Sequence, residues 1–426
     1  MSSFRYIHSL WPDGDGSTLS LDFTTGALDS RLTFTRSTTA TYVNSSGYVA
    51  TASANTPRFD YDPTTLAPRG LLIEGSASNV ALNSNVMRGT GWSNTNLVTP
   101  ANAAGVTDPA NGTNSTSYIA SAAGSGTTYR AGGVVSTTTG ASTTAITWSC
   151  WVKANGYTKI LMAEGNSGRG AVRFDIGVDP PTAVSVGGAG SPTGNVTTYQ
   201  NGWYRIEMRV SVASSTAYQW SVVGYPTGAT IGNYGAQYLG DATNGIYVWG
   251  AQLEDGSGAS SYIATGASTA NRAADECSMT GTNFSSWFNA TEGTILAHAR
   301  RIRTSDTGRI VSANDNTATE SFDVAADTTG KFIVTDGGSA LATISPGTVT
   351  ANTAFKIAGA FKLNDVQAAL GGTLGTQDTS VTMPTVTQLM IGQQAGASPV
   401  YLNGTVSLVK FWPTRLPDAT LQSLTT

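Results

Sequence analysis

Residues 245–275 read GIYVWGAQLEDGSGASSYIATGASTANRAAD, and they set how the rest of the chain is interpreted. The first residues after the glycine, 246–249, are β-branched or aromatic, which is typical of a β-strand. Trp249 is expected in a core, because Tyr247 and Leu253 share its face of an extended strand. The remaining residues are mostly small and indicate a linker. We therefore expect the closing strand of one domain and the exit that leads to the next.

Upstream of this stretch, residues 146–153 read ITWSCWVK and show clear alternation. Every second residue from Ile146 to Val152 is apolar and is expected to face a core, which places Trp151 on the opposite face. Similar runs, each bounded by glycine, asparagine or proline, occupy residues 159–163, 171–178, 203–212, 217–223 and 245–253. No helical periodicity separates these runs. The pattern predicts an antiparallel sandwich or jelly roll.

A second series of strand signals follows nearer the C-terminus. It covers residues 294–303, 308–312, 321–325, 331–335, 355–363, 388–392 and 404–413. The length of 426 residues suggests two or three domains. We predict an all-β chain with a loop-rich N-terminal attachment module at 1–80, a sandwich at 81–275, a linker at 276–292 and a second antiparallel sandwich at 293–426. One short apolar patch, 284–288, interrupts the linker.

The charge of the chain excludes several classes of partner. Only 12% of the residues are charged and the net charge is −4. A nucleic-acid surface needs clustered cations, so nucleic acid is not an expected partner. One stretch, 298–303, is locally basic, and we expect Arg301 and Arg303 on one face of a strand with Ile302 opposite. Neither membrane insertion nor an export signal is expected, since no run approaches the about 20 apolar residues of a membrane span.

Two cysteines, Cys150 and Cys277, are too few to cross-link so large a chain with disulfides. The sequence therefore predicts no disulfide framework and folding in a reducing compartment. Asp13 and Asp15 are typical of a turn, because a calcium loop needs more oxygen ligands at regular spacing. We expect no metal and no cofactor.

The sequence lacks the common catalytic motifs. The zinc-protease motif, the phosphate-binding loop and the serine-hydrolase elbow are absent, and a Ser-His-Asp arrangement could use only His8 or His298. Glu254 and Asp255 point to opposite faces if extended, which makes them a poor acid and base pair. No catalytic residue is identified, and the chain is not expected to be an enzyme.

Six short blocks carry a family resemblance. They are FTRSTTATYVN at 34–44, PRFDYDP at 57–63, GLLIE at 70–74, AQLE at 251–254, SYIAT at 261–265 and RAAD at 272–275. This set resembles a segment recurrent in tailed-bacteriophage head-spike and tail-fibre proteins, over residues 19–275. The resemblance implies a β-sandwich of the carbohydrate-binding-module type between the blocks. Ala264 departs from the pattern, because proline is common there, and a looser exit turn is expected.

The C-terminal residues 401–425 show a second, shorter resemblance. YLNGTVSLVKFW followed by RLPDATLQSLT resembles the last strand and terminal turn of concanavalin A-like (laminin G-like) lectin domains, and it extends over about 290–426. Pro417 and Asp418 indicate a helix start, with Leu421 and Leu424 on one face.

Exposed aromatic residues are the functional candidates. A flat ring can stack on the apolar face of a sugar while neighbouring polar groups bind its hydroxyls. Trp151, Tyr218 and Trp220 are the predicted glycan-binding residues. The alternative for each is an ordinary packing role in the core or between subunits.

The two resemblances together imply a virion surface protein, assembled in the host cytoplasm. We expect a head-spike or tail-fibre adhesin that binds host surface polysaccharide and contacts other virion proteins. A homotrimer is implied, because phage fibres are often trimers. The alternatives are a purely structural capsid decoration or tail protein, and a polysaccharide depolymerase.

Overall fold

The computed structural model describes residues 14–97, 101–103, 105–113, 115–120, 123, 128–135, 145–164, 170–211, 218–232, 235–302, 307–396 and 398–426. Within these ranges the chain is nearly all β, and its strand ladders are antiparallel. The predicted fold class is confirmed. Strong β-formers in short runs, separated by glycine and asparagine turns, account for it.

The strands of the first segment are β1 Leu19–Asp22, β2 Thr33–Thr35, β3 Ala40–Val43, β4 Val49–Ala52, β5 Phe59–Tyr61, β6 Pro68–Ile73 and β7 Ala77–Asn79. Those of the middle segment are β8 Trp92–Thr95, β9 Ala101–Asn102, β10 Ser117–Ala120, β11 Thr128–Val135, β12 Ala145–Asn155, β13 Lys159–Glu164, β14 Gly170–Asp175, β15 Thr182–Ser185, β16 Thr193–Thr198, β17 Trp203–Ser211, β18 Tyr218–Tyr225, β19 Thr230–Ile231, β20 Ala236–Gln237 and β21 Gly245–Asp255.

Those of the last segment are β22 Ala270–Arg272, β23 Glu276–Thr280, β24 Glu292–Arg301, β25 Gly308–Asn314, β26 Ser321–Ala326, β27 Thr329–Asp336, β28 Ser339–Thr348, β29 Ala354–Lys362, β30 Asp365–Leu370, β31 Thr373–Leu374, β32 Gln388–Ile391 and β33 Gly404–Trp412. The helices are α1 Thr282–Ser285 and α2 Asp418–Thr425, and 3₁₀ turns lie at Phe23–Thr25 and Gln200–Gly202. No helix in the described ranges is long and apolar enough to cross a bilayer.

The first sandwich consists of two facing sheets. One has the strand order β16-β17-β12-β21-β10-β9, and the other has β15-β14-β13-β18-β11-β20-β19 with β8 beside β11. Their shared core contains the alternating residues Ile146, Trp148, Cys150 and Val152, as the sequence predicts. The rings of Trp148 and Trp220 meet across it at 5.6 Å between centroids.

The second sandwich draws strands from both ends of the chain. One sheet has the order β31-β30-β29-β24-β33-β6-β5, with β1 also beside β33, and the other has β2-β23-β32-β25-β26-β27-β28. Between them lies a core of stacked rings, where Phe322 and Phe361 are 3.9 Å apart and Phe288 and Phe411 are 5.0 Å apart. Burial of each such side chain contributes about 1.5–3 kcal/mol to stability.

The first segment therefore differs from the separate module that the sequence predicts. Leu19 of β1 lies opposite Phe411 of β33, and Leu71 of β6 lies opposite Val406 of the same strand. Short strands with so few apolar residues cannot bury a core alone. They complete the second sandwich, some 330 to 390 residues further along the sequence.

The predicted linker at 276–292 also differs from the structure. Its first residues form β23, which pairs with β2 and β32. The apolar patch that follows is part of the core, where Phe284 stacks on Phe288 at 4.7 Å and packs edge-on to Trp287 at 5.1 Å. The segment is therefore a structural part of the second sandwich.

A β-bulge corrects the facing predicted for β21. The pairing of β21 with β12 shifts register between Ser149 and Trp151, and Gly250 has a φ of 67°. The extra residue reverses the alternation. Trp249 is buried as predicted, but it lies in a separate aromatic cluster on the outer face, whereas Leu253 faces the sandwich core.

Two smaller predictions at the C-terminal end can be compared directly. Arg301 is buried and donates a hydrogen bond to the Ala326 carbonyl. Ile302 lies on the opposite side of the strand and lines a cleft. Arg303 lies outside the described residues. Helix α2 begins at Asp418 after Pro417, as predicted. Its Leu421 packs on the outer face of the β24 sheet.

Candidate functional site

Five fully buried charged residues form one ionic network where the two sandwiches meet the first segment. Glu74 accepts hydrogen bonds from Nη1 of Arg58 and Nη1 of Arg272, each at 2.8 Å. Asp275 accepts from Nη1 of Arg36 at 2.9 Å and from Nη2 of Arg58. Buried charges are stable only when paired and hydrogen-bonded, and this network meets both conditions.

The network is built from the sequence blocks that carry the phage resemblance. Arg36 follows β2 in the first block, Arg58 precedes β5 in the second, and Glu74 follows β6 in the third. Ser261, from the SYIAT block, donates its hydroxyl to Glu74 at 2.6 Å. Arg272 belongs to the last block, which also supplies the second carboxylate. Blocks up to 239 residues apart therefore converge on one point.

The charges of the network shift its pKa values. Burial alone raises the pKa of Glu74, but the charges of Arg272 and Arg58 and the hydrogen bonds from Ser261 outweigh it and hold that pKa well below its ordinary value of 4.5. Burial lowers the pKa of Arg58, yet the charges of Glu74 and Asp275 raise it overall. Glu74 and Arg58 are therefore both charged at neutral pH.

Acidification is expected to remove the contribution of Glu74 to stability. A carboxyl whose pKa is depressed by folding contributes stability that is fully present above its unfolded pKa, and that stability is lost as the pH falls through the folded pKa. The difference in unfolding free energy between the parent and Glu74→Gln should therefore shrink below about pH 4.5. Urea unfolding of the parent and the variant at about pH 7 and about pH 3 measures this difference. A difference that does not change with pH would contradict the depressed pKa.

Beside the network lies a cleft of about 740 Å³, open solvent included. Its walls come from three places. These are the first segment, the outer face of β12, β16 and β17 in the first sandwich with the loop at 259–262, and the end of β24 with its neighbours in the second. The cleft brings aromatic and polar side chains from three parts of the chain together, a combination that ligand sites in proteins commonly show. It is the candidate binding site.

The wall from the first sandwich is aromatic. Trp151 packs edge-on against Tyr199 at 5.6 Å and against Tyr262 at 5.6 Å. The guanidinium of Arg205 lies over the Trp151 ring, 4.5 Å from its centroid, and donates to the Ser260 carbonyl at 2.9 Å. Burial raises the pKa of Tyr199 to about 12. Tyr199 is therefore a neutral hydroxyl at physiological pH.

The opposite wall is polar and carries positive charge. Arg69, Arg300, Asn352 and Thr405 line it together with Asp60. Arg69 is held by Asp62 at 2.8 Å. Burial raises the pKa of Asp60, with Arg69 and a hydrogen bond from the Val43 N–H acting against it. The cleft thus joins an aromatic wall to a polar wall.

The structure corrects two of the predicted glycan-binding residues. Trp220 is fully buried in the first sandwich core against Trp148, so it cannot reach a ligand. Trp151 is on the face opposite that core, as predicted, but it is only 1% exposed because Arg205, Tyr199 and Tyr262 enclose its ring. It forms the floor of the cleft and has no free face for a sugar. The Tyr218 side chain lies outside the described part of the chain.

Sequence reasoning missed the residues that do line the cleft. A usable signal was present for Arg205, because β17 alternates apolar and charged residues and places Arg205 opposite Trp151 of β12. Arg300 lies in the stretch identified as basic. For Tyr42 and Tyr199 no local signal distinguishes a cleft residue from any other half-buried tyrosine.

Glu254 and Asp255 lie in different surroundings, so this adjacent pair does not act as an acid and a base together. Glu254 is buried and bound by Ser260 and Gln252, whereas Asp255 is exposed. Among the described residues, no group of three or more histidine, cysteine, aspartate or glutamate side chains could hold a metal ion.

No protein-family model matches the chain. No curated protein matches it either. Solved structures of low similarity include the Ruminococcus gnavus IT-sialidase CBM40 bound to α2,3-sialyllactose, which is 14% identical over 34% of this chain and 88% of its own, with a TM-score of 0.30. Domain 4 of the GH43 arabinanase AbnA from Geobacillus stearothermophilus, in complex with arabinotriose, is 7% identical over 40% of this chain and 84% of its own, with a TM-score of 0.29. The NanB sialidase of Streptococcus pneumoniae is 9% identical over 35% of this chain and 26% of its own, with a TM-score of 0.29.

Proposed function

We propose that the chain is a surface protein of a tailed-phage particle and an adhesin that holds host surface glycans in the cleft. The observation that carries the glycan part is the pairing of tyrosine rings with polar side chains in one cleft. Sugars need this combination, because they present apolar C–H faces as well as hydroxyl groups. The half-buried Tyr42 and the nearly buried Tyr199 replace the tryptophans as the rings that meet the sugar.

The phage setting is supported by the sequence blocks around the cleft. A virion would display many copies, and weak binding at each site would then add up to avidity. The partners we propose are host surface polysaccharide and other virion proteins, with the chain itself as a homotrimer on the particle. Assembly would take place in the host cytoplasm.

Truncation of Tyr42 is expected to weaken glycan binding. The Tyr42→Ala variant should lose about two- to ten-fold in affinity, the effect of about 0.5–1.5 kcal/mol from one aromatic contact. The measurement is binding of the purified chain to an array of bacterial surface polysaccharides, followed by calorimetry on the positive ones. Tyr118→Ala is the matched control, because this half-buried tyrosine lies on the first sandwich and does not line the cleft. Equal losses in both variants, or an array without binding, would contradict the proposal.

A purely structural role is the second candidate. The buried network favours it, because five charged residues from the blocks that resemble phage proteins hold the junction of the fold together. Deletion of the gene separates the two: an adhesin leaves particles intact and lowers adsorption, whereas a structural protein lowers particle stability. A polysaccharide depolymerase would instead release reducing ends from host capsule.

A further inference from the structure

We propose that the glycan held in the cleft carries a carboxylate and that Arg300 binds it. This inference rests on the proposed glycan-binding function and specifies the ligand class. It follows from a guanidinium at the polar wall of the cleft that has no counter-ion among the residues the structure describes.

Arg300 lies at the end of β24, on the face turned away from the second sandwich core. Its strand partners are Ala354 on one side and Thr405 on the other. The side chain is half-buried and lines the cleft. Burial first, and then the charge of Arg69, lower the pKa of Arg300. A guanidinium nevertheless stays protonated in proteins, so the positive charge remains.

The three arginines of the cleft differ in how the protein holds them. Arg69 has Asp62 at 2.8 Å, and Arg205 has the Trp151 ring and the Ser260 carbonyl. Among the described residues, Arg300 has no carboxylate within 4.0 Å and no hydrogen-bond acceptor for its side chain. Within the described part of the chain, Arg300 is therefore available to an external acceptor.

Two neighbours of Arg300 also keep unused hydrogen-bonding capacity. The Thr405 hydroxyl is buried without a partner in the described structure. Asn352 is fixed beside the strand by the hydrogen bond from its backbone N–H to the Arg301 carbonyl at 2.6 Å, and its side-chain amide likewise has no partner among the described residues. An arginine with adjacent hydroxyl and amide groups matches a carboxylate flanked by sugar hydroxyls.

The carboxylates near Arg300 act on it only from longer range. Asp62 and Asp60 both raise its pKa slightly, but Asp62 is engaged by Arg69. Burial raises the pKa of Asp60, whose carboxylate lies 3.5 Å from Arg69 and accepts a hydrogen bond from the Val43 N–H. At the aromatic wall, burial likewise raises the pKa of Glu207. The wall at Arg300 therefore favours an anionic group, and the fork of a guanidinium binds a carboxylate through two parallel hydrogen bonds.

Uronic acids and nonulosonic acids both supply such a carboxylate, and the test separates them. Hyaluronate carries glucuronate, polysialate carries a nonulosonate, dextran is neutral, and dextran sulfate reports general attraction to polyanions. Calorimetry on the full chain measures the affinity for each of these four polymers at about 0.15 M salt, where non-specific electrostatic binding is screened. The proposal expects binding of at least one carboxylated polymer, at about ten-fold or more above dextran.

Variants then assign the binding to Arg300. Arg300→Gln should lose about ten-fold or more in affinity for the carboxylated polymer, and Arg300→Lys should retain part of it, since it keeps the charge and loses the fork. Arg173→Gln, an exposed arginine of β14 away from the cleft, should bind like the parent. If Arg300→Gln does not fold, as judged by its melting temperature, Asn352→Ala tests the same subsite and should lose affinity as well.

The remaining outcomes overturn the inference in distinguishable ways. Equal binding of dextran and the carboxylated polymers, or full binding by Arg300→Gln, rejects the carboxylate and leaves glycan binding standing. Binding of dextran sulfate alone indicates general polyanion attraction and rejects the subsite. Binding of no polysaccharide on the panel or on the array rejects the proposed function together with the inference.

Discussion

Replacement of Asp275 by asparagine is expected to cost about 3–5 kcal/mol of unfolding free energy, the cost typical of removing one partner from a buried ion pair. Asp275 is completely buried and accepts hydrogen bonds from Arg36, Arg58 and the Glu74 backbone N–H. The variant keeps the shape of the side chain and removes its charge. Arg36 would then lose the carboxylate that its guanidinium contacts, in a place where water cannot replace it.

Urea unfolding is the suitable measurement, because urea adds no ions that would screen the network. A lower midpoint with an unchanged slope would report a loss of stability without a change in the unfolded state. Asp29→Asn is the matched control, since Asp29 pairs with Arg31 at 2.8 Å while both side chains remain about a quarter to a third exposed. Exposed pairs contribute about 0–1 kcal/mol. A loss of less than 1 kcal/mol in Asp275→Asn, about the same as in the control, would show that the network does not stabilise the junction.

The network also shows what a sequence can and cannot specify. Each block is visible as a short distinctive run, and the resemblance predicts that the blocks bracket a sandwich. That Arg36 and Asp275 touch depends on the path of the chain between them, which local pattern does not encode. The same limit applies to β1 and β33, because alternation identifies a strand and its buried face but not its partner.

The strand series itself was predictable, because alternation over β12 follows directly from one buried face. The predicted exposure of side chains is wrong where a second layer of the protein covers the outer face of a sheet. Trp151 was expected to be exposed because the opposite face of an antiparallel sheet is commonly solvated. Here the loop around Ser260 and Tyr262 folds over that face, and the bulge at Gly250 turns Trp249 toward it as well. The cleft depends on this second layer.

Exchange of Gly70 for alanine is the other change expected to have a large effect. Gly70 lies in β6, within the GLLIE block, and its φ of 95° belongs to a region that residues with a side chain rarely adopt. A Cβ atom there would also overlap the Val406 carbonyl and come within 2.7 Å of Ser407 Cα, both in the backbone of β33. Since β33 is fixed between β6 and β24, neither strand can move away without loss of pairing. We expect a loss of about 3 kcal/mol or more, or failure to fold.

Gly228→Ala separates the clash from the backbone conformation. Gly228 has a similar φ of 89°, but no atom lies within 4 Å of the position its Cβ would take. This control should lose only about 1 kcal/mol, the cost of the conformation alone. Soluble yield and urea midpoints of the two variants give the comparison. If Gly70→Ala is as stable as Gly228→Ala, β6 does not pair with β33 in solution, and the first segment is then a separate module, as the sequence alone predicts.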